Sequence, residues 1–284
     1  MRKSNYTDSR ILWVAYHELN CGGSEDLQVK KVEESNSGKV NRYEPLFGSQ
    51  YASVPIEDES LNNKVFYIVS GHGGPDPGAR CTECANTLCE DEYAYDVSLR
   101  LARNLMQHGA IVHIMIQDPN DGIRNDEYLE CDTDERSINK KQLPLNQKKR
   151  LKQRSDDINR LYNSHKKKGI SSQTVISIHV DSRSQSKQQD VFFYHLKGSK
   201  RGKDIATNLH ETFKKKYGKF QKGRGYKGYV KDRNLYILRN TYPTAVFVEL
   251  ANIRNKYDHR RILLESNRQA LANWLFEGLR DSVK

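Results

Sequence analysis

The sequence predicts an α/β fold, a largely parallel twisted sheet flanked by helices, with a β-rich N-terminal extension. Two observations predict it. From Lys64 onward, short apolar runs bounded by turn residues alternate with longer segments whose apolar residues recur with helical spacing, the order expected of strands and helices laid down in turn. Before Lys64 that alternation is missing: Arg10 to Tyr16 is strand-like, Gly22 to Asn41 is a polar stretch, and the remainder to Leu61 is loop-rich with little helical periodicity. The expected organisation is an extension over residues 1–61 and one α/β domain over residues 62–284.

The elements follow in order. Val65 to Val69 is a short apolar strand ending in Ser70-Gly71. Glu92 to Gln107 places Val97, Leu101 and Leu105 on one stripe, with Ala94, Ala102 and Met106 beside it, and Gly109 closes it as a helix. Ala110 to Ile116 reads as a strand, Leu145 to Lys168 as a long basic helix, and Thr174 to Ile178 and Val191 to Leu196 as strands. Asp204 to Lys216 carries Ile205, Leu209 and Phe213 at i, i+4 and i+8, a helix. Leu235 to Leu238 and Ala245 to Leu250 are expected as strands, and Arg260 to Arg280 closes the chain as one helix through Ile262, Ala270, Trp274 and Leu275. No internal repeat or low-complexity tract interrupts this order.

Composition narrows the function classes. The 284 residues carry 47 Lys+Arg against 36 Asp+Glu, a formal charge of +11, and a mean hydropathy of -0.85. No apolar run approaches the ~20 residues that cross a bilayer, so no transmembrane segment is expected. Met1 to Tyr16 does not read as a secretory leader, so either the protein stays inside or a leader has been removed from this chain. The positive charge suits a polyanionic partner, whether nucleic acid, anionic lipid or a phosphate-bearing wall polymer, and charge alone does not choose among them. The basic stretch Lys214 to Arg233 reads equally as a grip on a polyanion and as a solvated loop, and it matches no RNA-binding signature. Five cysteines, Cys21, Cys81, Cys84, Cys89 and Cys131, include a single C-x-x-C pair, which favours a disulfide or free thiols over a structural metal.

Chemistry is expected where ligands gather in an open α/β sheet, beyond the carboxyl ends of the strands. Val65 to Val69 runs into Ser70-Gly71-His72-Gly73-Gly74, Thr174 to Ile178 runs into His179 with Asp181 beyond, and Ala245 to Val248 runs into Glu249. Each residue alone has an ordinary explanation: a loop histidine, a buried histidine, a carboxylate paired with an arginine. Glu92 is favoured in a first helical turn for electrostatic reasons alone. Their convergence at one edge is what points to chemistry. Two imidazoles and a carboxylate form the ligand set of a catalytic zinc with an open position, and a further carboxylate beside it suits a general base in metal-assisted hydrolysis.

In order, Val69-Ser70-Gly71-His72-Gly73-Gly74-Pro75-Asp76-Pro77-Gly78-Ala79, Ser177-Ile178-His179-Val180-Asp181 and Val246-Phe247-Val248-Glu249-Leu250-Ala251-Asn252-Ile253-Arg254-Asn255 resemble the three signatures of zinc-dependent N-acetylmuramoyl-L-alanine amidases, bacterial cell-wall hydrolases. The resemblance covers about residues 64 to 280. It implies a zinc ion held by His72, Glu92 and His179, with Glu249 as the catalytic carboxylate, and Glu90 lies close enough to compete with Glu92. It also implies peptidoglycan as substrate, cleaved between N-acetylmuramic acid and the L-alanine of the stem peptide, and hence a periplasmic or extracellular site of action. No nucleic-acid partner is then expected, and a monomer is the expected state. Arg183 is placed either to meet a peptide carboxylate or to stay solvated. Val69-Ser70 stands where the family usually has an acidic residue and a proline, and a Cys-bearing insertion separates Arg80 from Glu92; both touch substrate detail more than the candidate ligands. The competing readings are a zinc carboxypeptidase acting on wall peptides and a non-catalytic basic module binding wall or nucleic acid.

Overall fold

The computed structural model describes residues 41–283. The strand expected at Arg10 to Tyr16, and the polar stretch from Gly22 up to residue 40, lie outside the described residues. Within them, β1 (Asn41–Tyr43) and β2 (Ser53–Pro55) pair antiparallel, and Phe47, Val54 and Leu61 bury into the same apolar cluster as the helices and strands that follow. Residues 41–61 therefore share the core of the α/β unit.

The strands and helices that build it are β3 (Val65–Ser70), the short hairpin β4 (Arg80–Cys81) and β5 (Leu88–Cys89), α1 (Glu90–Gln107), β6 (Ile111–Ile114), and a second short pair, β7 (Ile116–Gln117) and β8 (Arg136–Ser137). They continue as α2 (Gln147–Lys167), β9 (Gln173–Asp181), β10 (Phe192–His195), α3 (Lys200–Phe220), β11 (Val230–Asp232), α4 (Tyr236–Asn240), β12 (Thr244–Asn252), α5 (Lys256–Leu263) and α6 (Glu265–Ser282). Six strands form the main sheet in the order β11, β10, β12, β9, β3, β6. Every neighbouring pair is parallel except β10 with β12, so the sheet is mixed but largely parallel.

Alternation along the central strands sets the layers. Phe66, Ile68, Ile176, Ile178, Val246 and Val248 face a cluster completed by Val97, Leu101, Leu209, Phe213, Trp274 and Leu275 from α1, α3 and α6. Tyr67, Val69, Val175, Ala245 and Phe247 face the other way, against Ile158 of α2 and Ile237 and Leu238 of α4. Strands buried on both faces are the reason their sequences read as continuous apolar runs. Between α1 and α6 sits a buried ionic knot: Asp96 Oδ2 accepts from Arg100 Nε at 2.8 Å and from Arg268 Nε at 2.6 Å, and its Oδ1 accepts from the Arg124 N–H at 2.8 Å.

Four expected elements differ in the structure, the first being Ala110 to Ile116, which divides into β6 in the main sheet and β7 paired with β8. Leu235 to Leu238 is not a strand but leads into α4, because a four-residue apolar run has no readable period and its burial against α2 decides its form. The closing helix is broken at Leu264, whose ψ of 121° is extended, giving α5 and α6 instead of one helix. The helix after β5 begins at Glu90, two residues before the expected start. The basic stretch Lys214 to Arg233 is neither one loop nor a free patch: its first part continues α3, Arg224 pairs with buried Asp190 at 2.6 Å, and its end forms β11 on the sheet edge.

Two disulfides, Cys81–Cys84 and Cys89–Cys131, join four of the cysteines, and Cys21 lies outside the described residues. Cys89–Cys131 closes a sequence separation of 42 and fastens the loop before β8 to the residue that precedes α1. Loop-closure entropy at that separation stabilises the fold by about 4 kcal/mol. Cys131→Ser should therefore lower the thermal midpoint by about 7 °C. A shift under 2 °C in a melt followed by circular dichroism would mean that the bridge is not formed or that the loop is held without it.

Acid should also weaken the fold, through His113. His113 is half-buried on β6, with Nε2 2.8 Å from Nε2 of His165, and its ring stacks on Tyr67. Burial first, then the neighbouring His165 and Arg160, push its pKa down to about 4. A histidine that titrates lower in the folded than in the unfolded chain costs nothing above about pH 6.5, and stability falls as pH drops through the window down to about 4. The loss across that window is about 2–3 kcal/mol after some allowance for solvent. His113→Phe keeps the ring and removes the proton, so urea midpoints at pH 7 and pH 4.5 should differ less in the variant than in the parent. Equal differences would show that another group carries the acid response.

Candidate active site

The sheet brings its candidate residues to one edge through register alone. β3 ends at Ser70, paired with Ile178, so His72 emerges one turn beyond it next to His179. His179 and Glu249 are direct partners on the adjacent parallel strands β9 and β12, and both point to the face that carries Val175 and Phe247. His179 stacks on Phe247 with ring centroids 4.1 Å apart, and the rings of His72 and His179 meet edge to face at 5.1 Å.

The carboxylate that joins the two histidines is Glu90. Its Oε1 lies 2.9 Å from His179 Nδ1 and its Oε2 lies 3.2 Å from His72 Nε2. The Val180 N–H donates to Oε1 at 3.0 Å and the Ala79 N–H donates to Oε2 at 2.8 Å, so both oxygens are fixed. His72, Glu90 and His179 each offer a ligand atom within 4.8 Å of the others, a group able to hold a metal ion. Glu92 does not join them. Two residues along a helix is a turn of roughly 200°, so Glu92 faces the opposite side, where its Oε2 pairs with Arg124 at 3.0 Å. Helical periodicity did not separate the two glutamates because α1 starts at Glu90, and its first turn is buried all round.

The loop after β3 is shaped around this group. His72 holds a left-handed φ of 61°, and Asp76, four residues on, lies 3.0 Å from its Nδ1. That contact favours the tautomer with a proton on Nδ1 and leaves Nε2 facing Glu90, the arrangement in which a second carboxylate orients a metal-binding imidazole. Asp76 is in turn held by Arg150, and the Arg154 guanidinium donates to the His72 carbonyl at 2.7 Å. A methyl group on Gly71 would lie 2.4 Å from the His179 ring, so that position has no room for a side chain. A cavity of about 190 Å³ opens over the site, lined by His72, Asp76, Arg150, Arg154, His179 and Phe247 among others. Asp76, Arg150 and Arg154 escaped the sequence reading; the spacing of Asp76 from His72 was visible, whereas the two arginines looked like any others on a basic helix.

Electrostatics follow from burial. For His72, burial alone would lower the pKa, but hydrogen bonds and charge from Asp76 and Glu90 outweigh it and raise it to about 10. Glu90 is pushed up by burial and pulled further down by both histidines, so it is held ionised. His179, partly buried at the cavity wall, is lowered by burial. Glu249 is 7% exposed, its Oε2 has no hydrogen-bond partner among the described residues, and burial first, then the charges of Glu90 and Asp181, raise its pKa well above the usual range. A buried carboxylate without a partner beside an ionised one is a costly arrangement unless a cation or substrate sits there. The donor set therefore fits a metal: imidazole nitrogens and one carboxylate, with a second carboxylate left over. Arg183 does not reach this cavity; its Nε donates to Asp181 at 2.7 Å.

The chain is similar in sequence and fold to known proteins. Over 224 residues the chain is 25% identical to the probable cell wall amidase LytH of Staphylococcus aureus, covering 79% of this chain and 60% of that protein. The chain thus spans about three-fifths of that relative's length. The fold matches the CwlD amidase of Clostridioides difficile, solved in complex with the GerS lipoprotein, with a TM-score of 0.58 at 20% identity, over 77% of this chain and 98% of that one. It also matches the catalytic domain of CwlV, an N-acetylmuramoyl-L-alanine amidase from Bacillus (Paenibacillus) polymyxa, with a TM-score of 0.55 at 21% identity, over 78% and 99%. Residues 67–281, which contain every candidate residue described above, match the N-acetylmuramoyl-L-alanine amidase family, and the chain belongs to it.

Proposed function

We propose that this chain is a zinc-dependent amidase that hydrolyses the amide between N-acetylmuramic acid and the L-alanine of the peptidoglycan stem peptide. The observation that carries the reading is the meeting of His72, Glu90 and His179 at the carboxyl ends of β3 and β9, with the unpartnered Glu249 beside His179 on the next strand. In this reading His72, Glu90 and His179 hold the zinc, Glu249 is the catalytic carboxylate, and Glu92 has no part in the metal site. Action on peptidoglycan places the protein outside the cytoplasmic membrane, and among the described residues no helix is long and apolar enough to cross one.

Zinc, when bound, polarises the scissile carbonyl and makes water nucleophilic near neutral pH. The protein's own residues do the rest. Glu249 accepts the proton of the attacking water and passes it to the nitrogen of the departing L-alanine, so that the C–N bond breaks to a neutral amine and a carboxylic acid, whose own proton is then lost to solvent or to the amine. Asp76 and Arg154 hold the His72 loop, and Phe247 holds the His179 ring, which keeps the site assembled before substrate arrives. Arg150 and Arg154 line the cavity and present positive charge to an acidic wall polymer.

Purified sacculi digested with the chain and analysed by mass spectrometry should release intact stem peptides, and a zinc chelator should stop the release. Shortened stems with the muramoyl amide intact would replace this reading with a carboxypeptidase. No release at all would leave the residues as scaffold.

A further inference from the structure

On the far side of α1 from the His72 cluster lies a second concentration of ionisable groups that the proposed hydrolysis does not use. Asp91, Glu92 and Glu135 each offer an oxygen within 4.8 Å of the others, and so do Asp118, Asp132 and Glu135, the two groups sharing Glu135. Asp91, Glu92, Asp118 and Glu135 are each no more than 4% exposed. Carboxylates at a helix start are favoured by the helix dipole, which accounts for exposed ones and not for several buried against each other. Among the described residues one cationic side chain pairs with the five, Arg124 with Glu92.

The independent sign of a missing ligand is Asp91. Its Oδ1 accepts from the Glu92 N–H at 3.1 Å, and its Oδ2 is buried with no hydrogen-bond partner among the described residues, although the carboxylate belongs to the cluster. All the donors are oxygens, the set that hard divalent cations take, and ion–oxygen distances of about 2.3–2.6 Å span oxygen separations up to about 5 Å. The backbone is built for it as well. Asp118 Oδ1 is held by the N–H groups of Asn120 and Asp121, Asp132 Oδ1 accepts from the Asp134 N–H, and the Gly74 N–H donates to Glu135 Oε2 at 2.6 Å.

We propose that Asp91, Glu92, Asp118, Asp132 and Glu135 form a second, structural cation site that takes calcium. The site ties three segments together: the first turn of α1, the loop from Asp118 to Glu135 fastened by Cys89–Cys131, and, through Glu135 and Gly74, the loop that carries His72. It differs from the His72 cluster in chemistry, oxygen donors against imidazoles, and it stands whether or not the zinc reading does.

Terbium(III) reports such a site directly, because Tyr95 touches Asp118 through its hydroxyl at 3.0 Å and can sensitise the bound ion. With the full chain, stripped of metal by chelation, tyrosine-sensitised terbium emission should saturate at about one ion per chain and be displaced by calcium with a Kd of roughly 10⁻⁵–10⁻³ M. Calcium at about 100 times its Kd should raise the thermal midpoint by about 5 °C. Glu135→Gln and the milder Asp132→Asn should each weaken terbium binding at least about tenfold, while His72→Ala leaves it unchanged. Absence of emission and of a calcium shift in the parent chain would overturn the site and mean that the carboxyls share protons instead. Emission that survives both carboxylate variants, or that vanishes in His72→Ala, would overturn it too, since the ion would then sit elsewhere.

Discussion

Glu249→Gln is expected to lower the rate of stem-peptide release by about 1,000-fold while zinc content stays at the parent level. Proton transfer by a positioned side chain is worth about 10²–10⁴-fold, and glutamine keeps the shape of the side chain while removing the proton acceptor. The same substitution should leave the thermal midpoint unchanged or higher. Glu249 is buried with an unpartnered Oε2, and the nearby charges of Glu90 and Asp181 oppose its ionisation, so in the proposed role the parent residue would serve chemistry at a cost in stability. Elemental analysis, a thermal melt and a muropeptide assay on one preparation separate these effects. Activity within tenfold of the parent would remove Glu249 from the mechanism.

The second large effect sets two neighbouring glutamates apart. Glu90→Gln should weaken zinc binding by more than about 100-fold, because loss of an inner ligand exceeds the 10–100-fold cost of losing a supporting contact. It also leaves His72 and His179 without the carboxylate that both face. Glu92→Gln should keep zinc and instead destabilise the fold by about 1–2 kcal/mol, since the Arg124 guanidinium loses one of its two carboxylate partners and keeps Asp121. Competition titrations against a zinc-chelating dye, run beside urea denaturation, read the two quantities separately. If Glu92→Gln loses zinc and Glu90→Gln keeps it, the ligand set built on Glu90 is wrong.

These two residues also mark how far sequence reasoning reached. The Gly-His-Gly-Gly turn after Val69, the histidine after Ile178 and the glutamate after Val248 were legible because each follows a short apolar run, and a parallel sheet carries the ends of such runs to one edge. The choice between Glu90 and Glu92 was not legible. It depends on the angle at which α1 leaves Cys89, which a count of residues back from Gly109 does not specify. Asp76 was within reach, four residues from His72, but its partners Arg150 and Arg154 come from α2, remote in sequence and indistinguishable there from solvated basic residues.

The sequence by itself determined the α/β class and the positions of the central strands and long helices, because apolar periodicity and local turn chemistry act over a few residues, and its three ordered motifs carried the resemblance to the family. Tertiary structure decided what those rules leave open. Burial against α2 made Tyr236–Asn240 a helix, an extended Leu264 split the last helix, and residues 41–61 joined the core through Phe47, Val54 and Leu61. It also decided which cysteines pair and which acidic residues crowd together beneath α1. Each of those outcomes depends on contacts between segments far apart in the chain, where the free energy of burying a group is set by neighbours that no local pattern encodes.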